Sequence, residues 1–594
     1  MISIGWCKLL LYFQKIVINF VANKQNPLQP MKLATWNLIP TDESAAERLQ
    51  KELNIPLLFC RLLVQRGILN IEDARIFFRH DLNNTHNPFL MKDMDLAVER
   101  LDAALQNNER ILLYGDYDVD GTTSVALMFA FLSGFHSNLD YYLPDREKEG
   151  YGVSLLGVEY ARETGCTLII AMDCGIKGHQ PIALAKTYGI DFIVCDHHLP
   201  EGGLPEAVAC LDPKRDDCPY PYKELSGCGI SFKLAQALAL HHNTPSEEIT
   251  SLLDLVAVST ACDIVPMTGE NRIFAHFGLQ RLNRSPRLGL WAICERINRP
   301  RPLDITDVVF GIGPLINAAG RLADAREAVR LLLSVDKNSA LDNASQLMTR
   351  NKQRREMDYA TADEAHRKFK EMPDWSGRKS TVLFEPNWHK GIIGIVASRI
   401  VETFHKPTVI LTESNGKAVG SARSVAGFDL YSALQQCEDL FTTYGGHAYA
   451  AGMQMPLENV DAFIERFETV VSQSIAPEME DPQIDVCTKI KFDEITPEFW
   501  KMLNRFEPFG PQNRNPVFWA ENVSDTGNSK LLENNHVKLS LRQAGSKVEM
   551  TGIGFGLGKV FEKVQGKPFG LLFNLREDEW QGRRTLKIYA KDMR

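Results

Sequence analysis

Apolar residues follow different rhythms along this chain. Over residues 42–110 they recur at helical spacing, as at Leu57, Leu58, Leu62 and Leu63. They predict helices over Ala45–Leu53, Pro56–Arg66, Ile71–Phe78 and Met94–Gln106 that pack on a sheet. From Arg110 the rhythm shifts to short unbroken apolar runs, Ile111–Tyr114, Leu168–Met172 and Phe192–Cys195, separated by helical stretches. That alternation predicts a doubly wound parallel sheet. Leu252–Cys262 reads as a further helix. Asp336–Met372 is charged and has no internal Pro or Gly, which predicts one long helix bridging two domains. Residues 376–475 repeat an α/β pattern, with Trp388–Gly394 running into a helix over Ile395–Thr403. Beyond residue 483 five short strands alternate with turns: Val486–Phe492, His536–Leu541, Val548–Phe555, Pro568–Asn574 and Thr585–Ala590. They fit a small barrel of the OB-fold kind.

The residues at the end of each apolar run carry the chemistry. Ile111–Tyr114 stops at three alternating carboxylates, Asp116, Asp118 and Asp120, and Gly121 opens a predicted helix running to Ala130. Leu168–Met172 leads at once into Asp173, and Phe192–Cys195 into Asp196-His197-His198. In an open α/β sheet, ligands bind beyond the carboxyl ends of the strands. Carboxylates crowded there repel one another unless a cation lies between them, and hard divalent ions take such oxygen ligands. Asp-x-Asp-x-Asp-Gly also begins an EF-hand loop, but that loop needs a Glu at its twelfth position and a helix before it. Here the twelfth residue is Leu127 and a strand precedes. A helix N-cap explains one Asp, not three.

Imidazole widens the choice of metal toward Mn, Fe, Co or Zn. Adjacent side chains diverge, so one His of the pair is expected to ligate, with Asp196 orienting a ring. Asp263, after the predicted helix Leu252–Cys262, adds a carboxylate. Asp116, Asp118, Asp120, Asp173 and Asp263, with one or two of the imidazoles of His197 and His198, are too many ligands for one ion. They suit two ions about 3.5–4 Å apart, the arrangement that clamps in-line phosphoryl displacement.

Composition changes this picture little. A length of 594 residues suggests about three or four domains. Hydrophobic content of 44% and charged content of 24% are those of a soluble globular protein. The net charge of −9 argues weakly against non-specific polyanion binding, but residues 501–594 hold 16 Lys/Arg against 10 Asp/Glu, which makes that region the more cationic one. Twelve scattered Cys with no Cys-x-x-Cys pair exclude zinc-ribbon spacing and fit a reduced, cytoplasmic compartment. The apolar run Ile2–Val21 is broken by Lys8, Gln14 and Lys15, too often for a membrane span. Met31 is read as the native start, or the first thirty residues as a dispensable extension.

Asp-Tyr-Asp-Val-Asp-Gly, Met-Asp-Cys-Gly, Asp-His-His and Cys-Asp-Ile-Val-Pro, in this order, resemble the four motifs of the DHH phosphoesterase superfamily. Length and later motifs are similar to its bacterial single-strand-specific 5′→3′ exonucleases, from about Glu43 to Arg594. The later motifs include the glycine-rich turn Leu225–Ile230, Ile316–Leu322, and the stretches Trp388–Gly394, Gly420–Ser424 and Tyr444–His447.

The resemblance implies a parallel-sheet DHH domain joined by a long helix to a second α/β, DHH-associated domain, plus a C-terminal OB-like barrel. The boundaries expected are 1–42 for an extension, 43–335 for the DHH domain and 336–372 for the connecting helix. The DHH-associated domain then takes 373–478 and a nucleic-acid-binding barrel 479–594. Two Mn²⁺ or Mg²⁺ ions are implied, held by Asp116, Asp118, Asp120, Asp173, His197 and Asp263, with Asp173 as the bridging ligand and Asp118, Asp173, His197 and His198 as catalytic groups. Arg146, Asn317, Arg321, Ser421, Arg423 and His447 are the implied phosphate or DNA contacts, with His198, Asn317 and Arg321 stabilising transition-state charge. The implied reaction is 5′→3′ hydrolysis of single-stranded DNA to mononucleotides in recombination and repair. The expected partners are a helicase and a single-strand-binding protein, and the expected state is a monomer away from membranes. A groove between the two α/β domains, too narrow for a duplex, would select single strands.

Two rival readings differ in class. A phosphoesterase for short oligonucleotides or cyclic dinucleotides shares the site, but needs neither a cationic barrel nor a long helix. A non-catalytic nucleic-acid scaffold would have lost site carboxylates, and all are present here.

Overall fold

The computed structural model describes residues 34–580 and 583–594; the extension predicted over the first thirty residues lies outside them. Two compact units emerge. One takes residues up to Phe78 with Asp481–Glu507 and Arg514–Arg594; the other takes Arg79–Glu480 with Pro508–Asn513. No helix among the described residues is long and apolar enough to cross a membrane.

The larger unit is built on a five-stranded, all-parallel sheet. Its strands lie in the order Leu139–Tyr142, Ile111–Gly115, Leu168–Met172, Asp191–Cys195, Ala209–Leu211. The unbroken apolar runs have a direct cause. Ile111, Leu113, Leu168, Ile170 and Ile193 enter one core, while Leu112, Tyr114, Ile169, Ala171, Phe192 and Val194 enter another on the opposite face. A parallel sheet covered on both faces has no wet side, so its strands do not alternate with polar residues. The strands end at one rim, and the helices Val119–Leu132, Gly227–His242 and Leu253–Cys262 bring their ends to it.

The long helix is Lys337–Glu371, capped by Asp336, which accepts from the Ser339 amide. It carries few apolar positions because much of it is exposed, and a buried ion pair anchors its second half. Asp358, fully buried, takes two hydrogen bonds from Arg399, at 2.9 and 2.8 Å, on the helix Ile393–Phe404. That helix packs on a second sheet, ordered Thr443–His447, Ala450–Pro456, Lys417–Arg423, Thr408–Ser414, Thr381–Phe384, in which only the last pair is parallel.

The smaller unit holds a closed five-stranded barrel. Phe518–Asp525 pairs with Phe569–Trp580, that strand with Arg583–Met593, then Glu549–Gly554, then His536–Gln543, which returns to Phe518–Asp525. The strand expected over Val486–Phe492 is replaced in this circuit by Phe518–Asp525. The sequence Phe-Trp-Ala-Glu-Asn-Val-Ser-Asp carries a register shift between Ala520 and Val523, and that irregularity hides its alternation. The helices over residues 43–78 also depart from expectation. They belong to the barrel's unit, where Phe59 packs on Phe499 and Phe506, and not to the parallel sheet.

Asp358→Ala is expected to lower the urea-unfolding stability of the larger unit by about 2–3 kcal/mol. It strands a guanidinium that keeps some access to water, which trims the cost of breaking a fully buried pair. Lys352→Ala, which removes an exposed pair with Glu356, is expected to leave the midpoint unchanged.

Candidate metal centre

Asp116 follows the strand Ile111–Gly115 and is 1% exposed, with Oδ1 lacking any hydrogen-bond partner. Asp118 caps the next helix, accepting from the amides of Asp120 and Gly121 at 2.8 and 3.2 Å. Asp120, in that helix's first turn, is held from outside. It accepts from the Gly227 and Cys228 amides at 2.6 and 2.7 Å and from the Ser259 hydroxyl at 2.6 Å. The first two donors are the orphan N–H groups of a helix start, which favour negative charge.

Asp173 sits in left-handed backbone, φ 59°, directly after its strand. Its close neighbour is Gly227, where a Cβ would lie 2.6 Å from the Asp173 Cβ and 2.8 Å from its Cα. Glycine there lets the helix start and the carboxylate share one place.

His197 joins these groups. Its Nε2 lies 3.2 Å from Asp173, 3.6 Å from Asp263 and 3.9 Å from Asp120. Burial, then the neighbouring His198 charge, push its pKa down to about 3, so the ring is neutral, as a metal ligand must be. Asp196 turns the other way. It accepts from the Ile176 amide at 2.9 Å and from His198 Nδ1 at 2.7 Å. Burial works against charge on His198, but the Asp196 hydrogen bond and charge outweigh it and hold the ring above its ordinary value. The Tyr151 hydroxyl lies 3.0 Å from His198 Nε2 and donates to the Asp173 carbonyl at 3.2 Å.

Three sets of ligand atoms each lie within 4.8 Å of one another: Asp116–Asp118–Asp173, Asp120–His197–Asp263 and Asp173–His197–His198. The first two contain the six groups singled out in the sequence, and they abut through Asp173 and His197. Burial, followed by the charges of the neighbouring aspartates, pushes Asp116, Asp173 and Asp263 well above the ordinary carboxylate range. The same causes raise Asp120 to about 6, against the pull of its three hydrogen bonds.

The predicted phosphate contacts fall into two classes. Arg146, Arg321 and Arg423 feel one another's charge, and none pairs with a carboxylate among the described residues. Burial, then Arg146, Arg354 and Arg423, bring Arg321 down to about 9. Arg321 donates to the Gly391 carbonyl at 3.1 Å, and Arg423 to the Ser421 hydroxyl at 3.1 Å. Gly394 completes this set, since a Cβ there would meet the Arg423 guanidinium at 2.9 Å and the Ser421 hydroxyl at 3.0 Å. No side-chain hydrogen bond or ion pair joins Asn317 or His447 to it among the described residues. Asn317 is one helical turn before Arg321, on Gly313–Leu322. His447 is exposed and lies level with Ala450 and, one strand further, Arg423.

Several groups at the site went unread in the sequence, among them Tyr151, which touches His198. Ser259 and the amides under Asp120 carry no pattern, although the glycine-rich turn at 225–230 marks where the amides are. The strand Ala209–Leu211 is three residues long and went unread, and with it Asp212 and Lys214 at the same rim. Asp212 is buried, its Oδ2 unpartnered, and burial raises it to about 7. The Lys214 charge favours the ionised form of Asp263.

Family comparisons agree with this architecture. The model of the DHH family N-terminal domain matches residues 110–260, that of the DHHA1 domain 377–473 and that of the RecJ OB domain 486–592. The single-stranded-DNA-specific exonuclease RecJ of Bacillus subtilis is 36% identical over 568 residues, covering 94% of this chain and 70% of its own. The chain belongs to the RecJ family. The RecJ of Salmonella typhimurium is 32% identical over 92% of this chain and 98% of its own. The crystal structure of Thermus thermophilus RecJ in complex with Mn²⁺ superposes with a TM-score of 0.80 at 26% identity, covering 94% of this chain and 79% of that one. The same protein was solved with Mg²⁺. As a RecJ-family member the chain is a metal-dependent exonuclease, and its residues fit such ions. They offer buried carboxylate oxygens and an Asp116 oxygen with no other partner, which suit Mn²⁺ or Mg²⁺, and a neutral imidazole, which suits Mn²⁺.

The raised carboxylates bind their protons more tightly in the folded chain than in the unfolded one. Their contribution to stability is therefore full below about pH 3.8 and is lost as pH rises through the raised values, about 6 for Asp120. A bound cation needs them ionised and reverses that loss. Mn²⁺ is expected to raise the melting temperature strongly near about pH 7.5 and little near about pH 5. Equal shifts at both pH values, or none, would contradict the centre.

Proposed function

We propose that this chain is a single-stranded-DNA-specific exonuclease that releases mononucleotides from the 5′ end by a two-ion mechanism. In this reading it acts in DNA recombination and repair, as a cytoplasmic monomer working with a helicase and a single-strand-binding protein. The supporting names are those of its relatives, which are single-stranded-DNA-specific exonucleases. The observation that carries the reading is the pair of ligand sets meeting at Asp173 and His197.

Two bound Mn²⁺ or Mg²⁺ ions would supply an activated water and neutralise phosphate charge for in-line displacement. Asp116, Asp118, Asp120, Asp173, His197 and Asp263 would hold the pair, Asp173 lying beside His197 where the two ligand sets adjoin. His198, whose charged form Asp196 favours and whose ring Tyr151 steadies, stabilises the charge that grows on the scissile phosphate. Asn317 and Arg321 add donors for the same charge. Arg146, Ser421, Arg423 and His447 hold phosphates of the strand; uncompensated guanidiniums gain most from an arriving anion. The barrel's cationic surplus and aromatic side chains suit a single strand through charge and base stacking. A groove between the two α/β domains, too narrow for a duplex, gives the preference for single strands.

Digestion of 5′- and 3′-labelled single-stranded DNA with Mn²⁺, Mg²⁺ or chelator tests this directly. The 5′ label is expected to leave first as mononucleotide, with no reaction in chelator. Asp118→Ala is expected to reduce hydrolysis by at least about a hundredfold while DNA binding persists. Undiminished cleavage by that variant, or release from the 3′ end, would refute the reading.

A further inference from the structure

Ile264 directly follows the carboxylate Asp263, and its backbone is left-handed, φ 61°. The other non-glycine residues with positive φ are Asn, Asp, His or Gln, so Ile264 is the only β-branched one among the described residues. It occupies the position just beyond the C-cap of the helix Leu253–Cys262, where glycine is the usual choice because a Cβ is strained there. A branched side chain is worse still.

Nothing in the fold repays that strain through the side chain, which is 68% exposed. The backbone on either side is fixed. Asp263 Oδ2 faces His197 at 3.6 Å. Val265 and Met267 are buried, the Pro266 carbonyl accepts from Asn271 at 3.0 Å, and the Met267 amide donates to Pro511 at 2.8 Å. The turn is therefore imposed by the need to bring Asp263 to the cluster, and glycine would serve it better. Strain kept at such a place points to a role for the side chain outside the fold.

We infer that Ile264 is a substrate-contact residue: its aliphatic side chain packs on the base of a nucleotide flanking the scissile phosphate. The inference rests on the proposed nuclease reading. A phosphate at the carboxylate cluster places its own nucleosides within reach of the residue next to Asp263. An exposed aliphatic side chain offers a base face contact without reading its edge, which suits an enzyme that must accept every base in turn.

The test compares wild type, Ile264→Gly and Ile264→Asn on single-stranded oligonucleotides carrying either intact nucleotides or one abasic nucleotide, at the terminal or the penultimate position. The readout is the ratio of kcat/KM for intact over abasic substrate. Both variants fit a left-handed turn, so both are expected to fold with a melting temperature no lower than that of wild type. The ratio is expected to fall about tenfold in both, at one of the two positions, mainly through KM on the intact strand. Ile264→Val, which keeps an aliphatic side chain, is expected to retain most of the ratio. Ratios unchanged at both positions in the Gly and Asn variants would overturn the inference even if activity fell, because such a loss would belong to Asp263. Wild-type protein that degrades neither substrate would instead sink the nuclease reading, and this inference with it.

Discussion

The structure depends on forcing like charges together in a place water hardly reaches. Asp116, Asp120 and Asp173 are at most 2% exposed, and Asp263 lies against the same imidazole. In bulk water such a cluster would spread apart; in a low-dielectric rim its repulsion is several times stronger. The fold meets that cost in two ways. Asp120 is neutralised from behind by the start of the helix Gly227–His242 and by Ser259. The remaining oxygens are left facing one another, so the demand they create is met by a cation or by protons. Rigid elements on all sides, five parallel strands and three helix ends, keep the groups from relaxing outward.

The same logic, with the sign reversed, operates among the arginines of this unit. Arg146, Arg321 and Arg423 crowd one another without a carboxylate partner among the described residues, and glycines at 391 and 394 let the backbone and Ser421 come close. One cluster wants cations and the other wants anions. A phosphodiester chain bridged to metal ions satisfies both, which is why the two sets make chemical sense together.

Much of the fold and centre was legible in the sequence because strands buried on both faces write themselves as unbroken apolar runs. Ile111–Tyr114, Leu168–Met172 and Phe192–Cys195 lie within or match the observed strands, and the aspartate after each marks the rim. The long helix was equally plain, since Asp336 caps it and no Pro or Gly interrupts it. What stayed hidden was short or non-local. Ala209–Leu211 is too brief to show a period, and Phe518–Asp525 is disguised by its irregular register. The amides beneath Asp120 come from a helix more than a hundred residues away. The helices over residues 43–78 show which face is apolar but not what covers it; aromatic side chains of the barrel's unit do. Ile264 sits inside a motif whose chemistry belongs to Asp263, and only its backbone angle reveals that its side chain is out of place.

Six ligands in two adjoining sets suit a pair of cations rather than one. Titrating metal-free protein with Mn²⁺ while recording its electron paramagnetic resonance spectrum tests this most directly. Two ions per chain and a spin-coupled spectrum are expected, as for ions about 3.5–4 Å apart, with the coupling lost in Asp173→Asn. A single uncoupled ion at saturation, or coupling that survives loss of the Asp173 carboxylate, would contradict it.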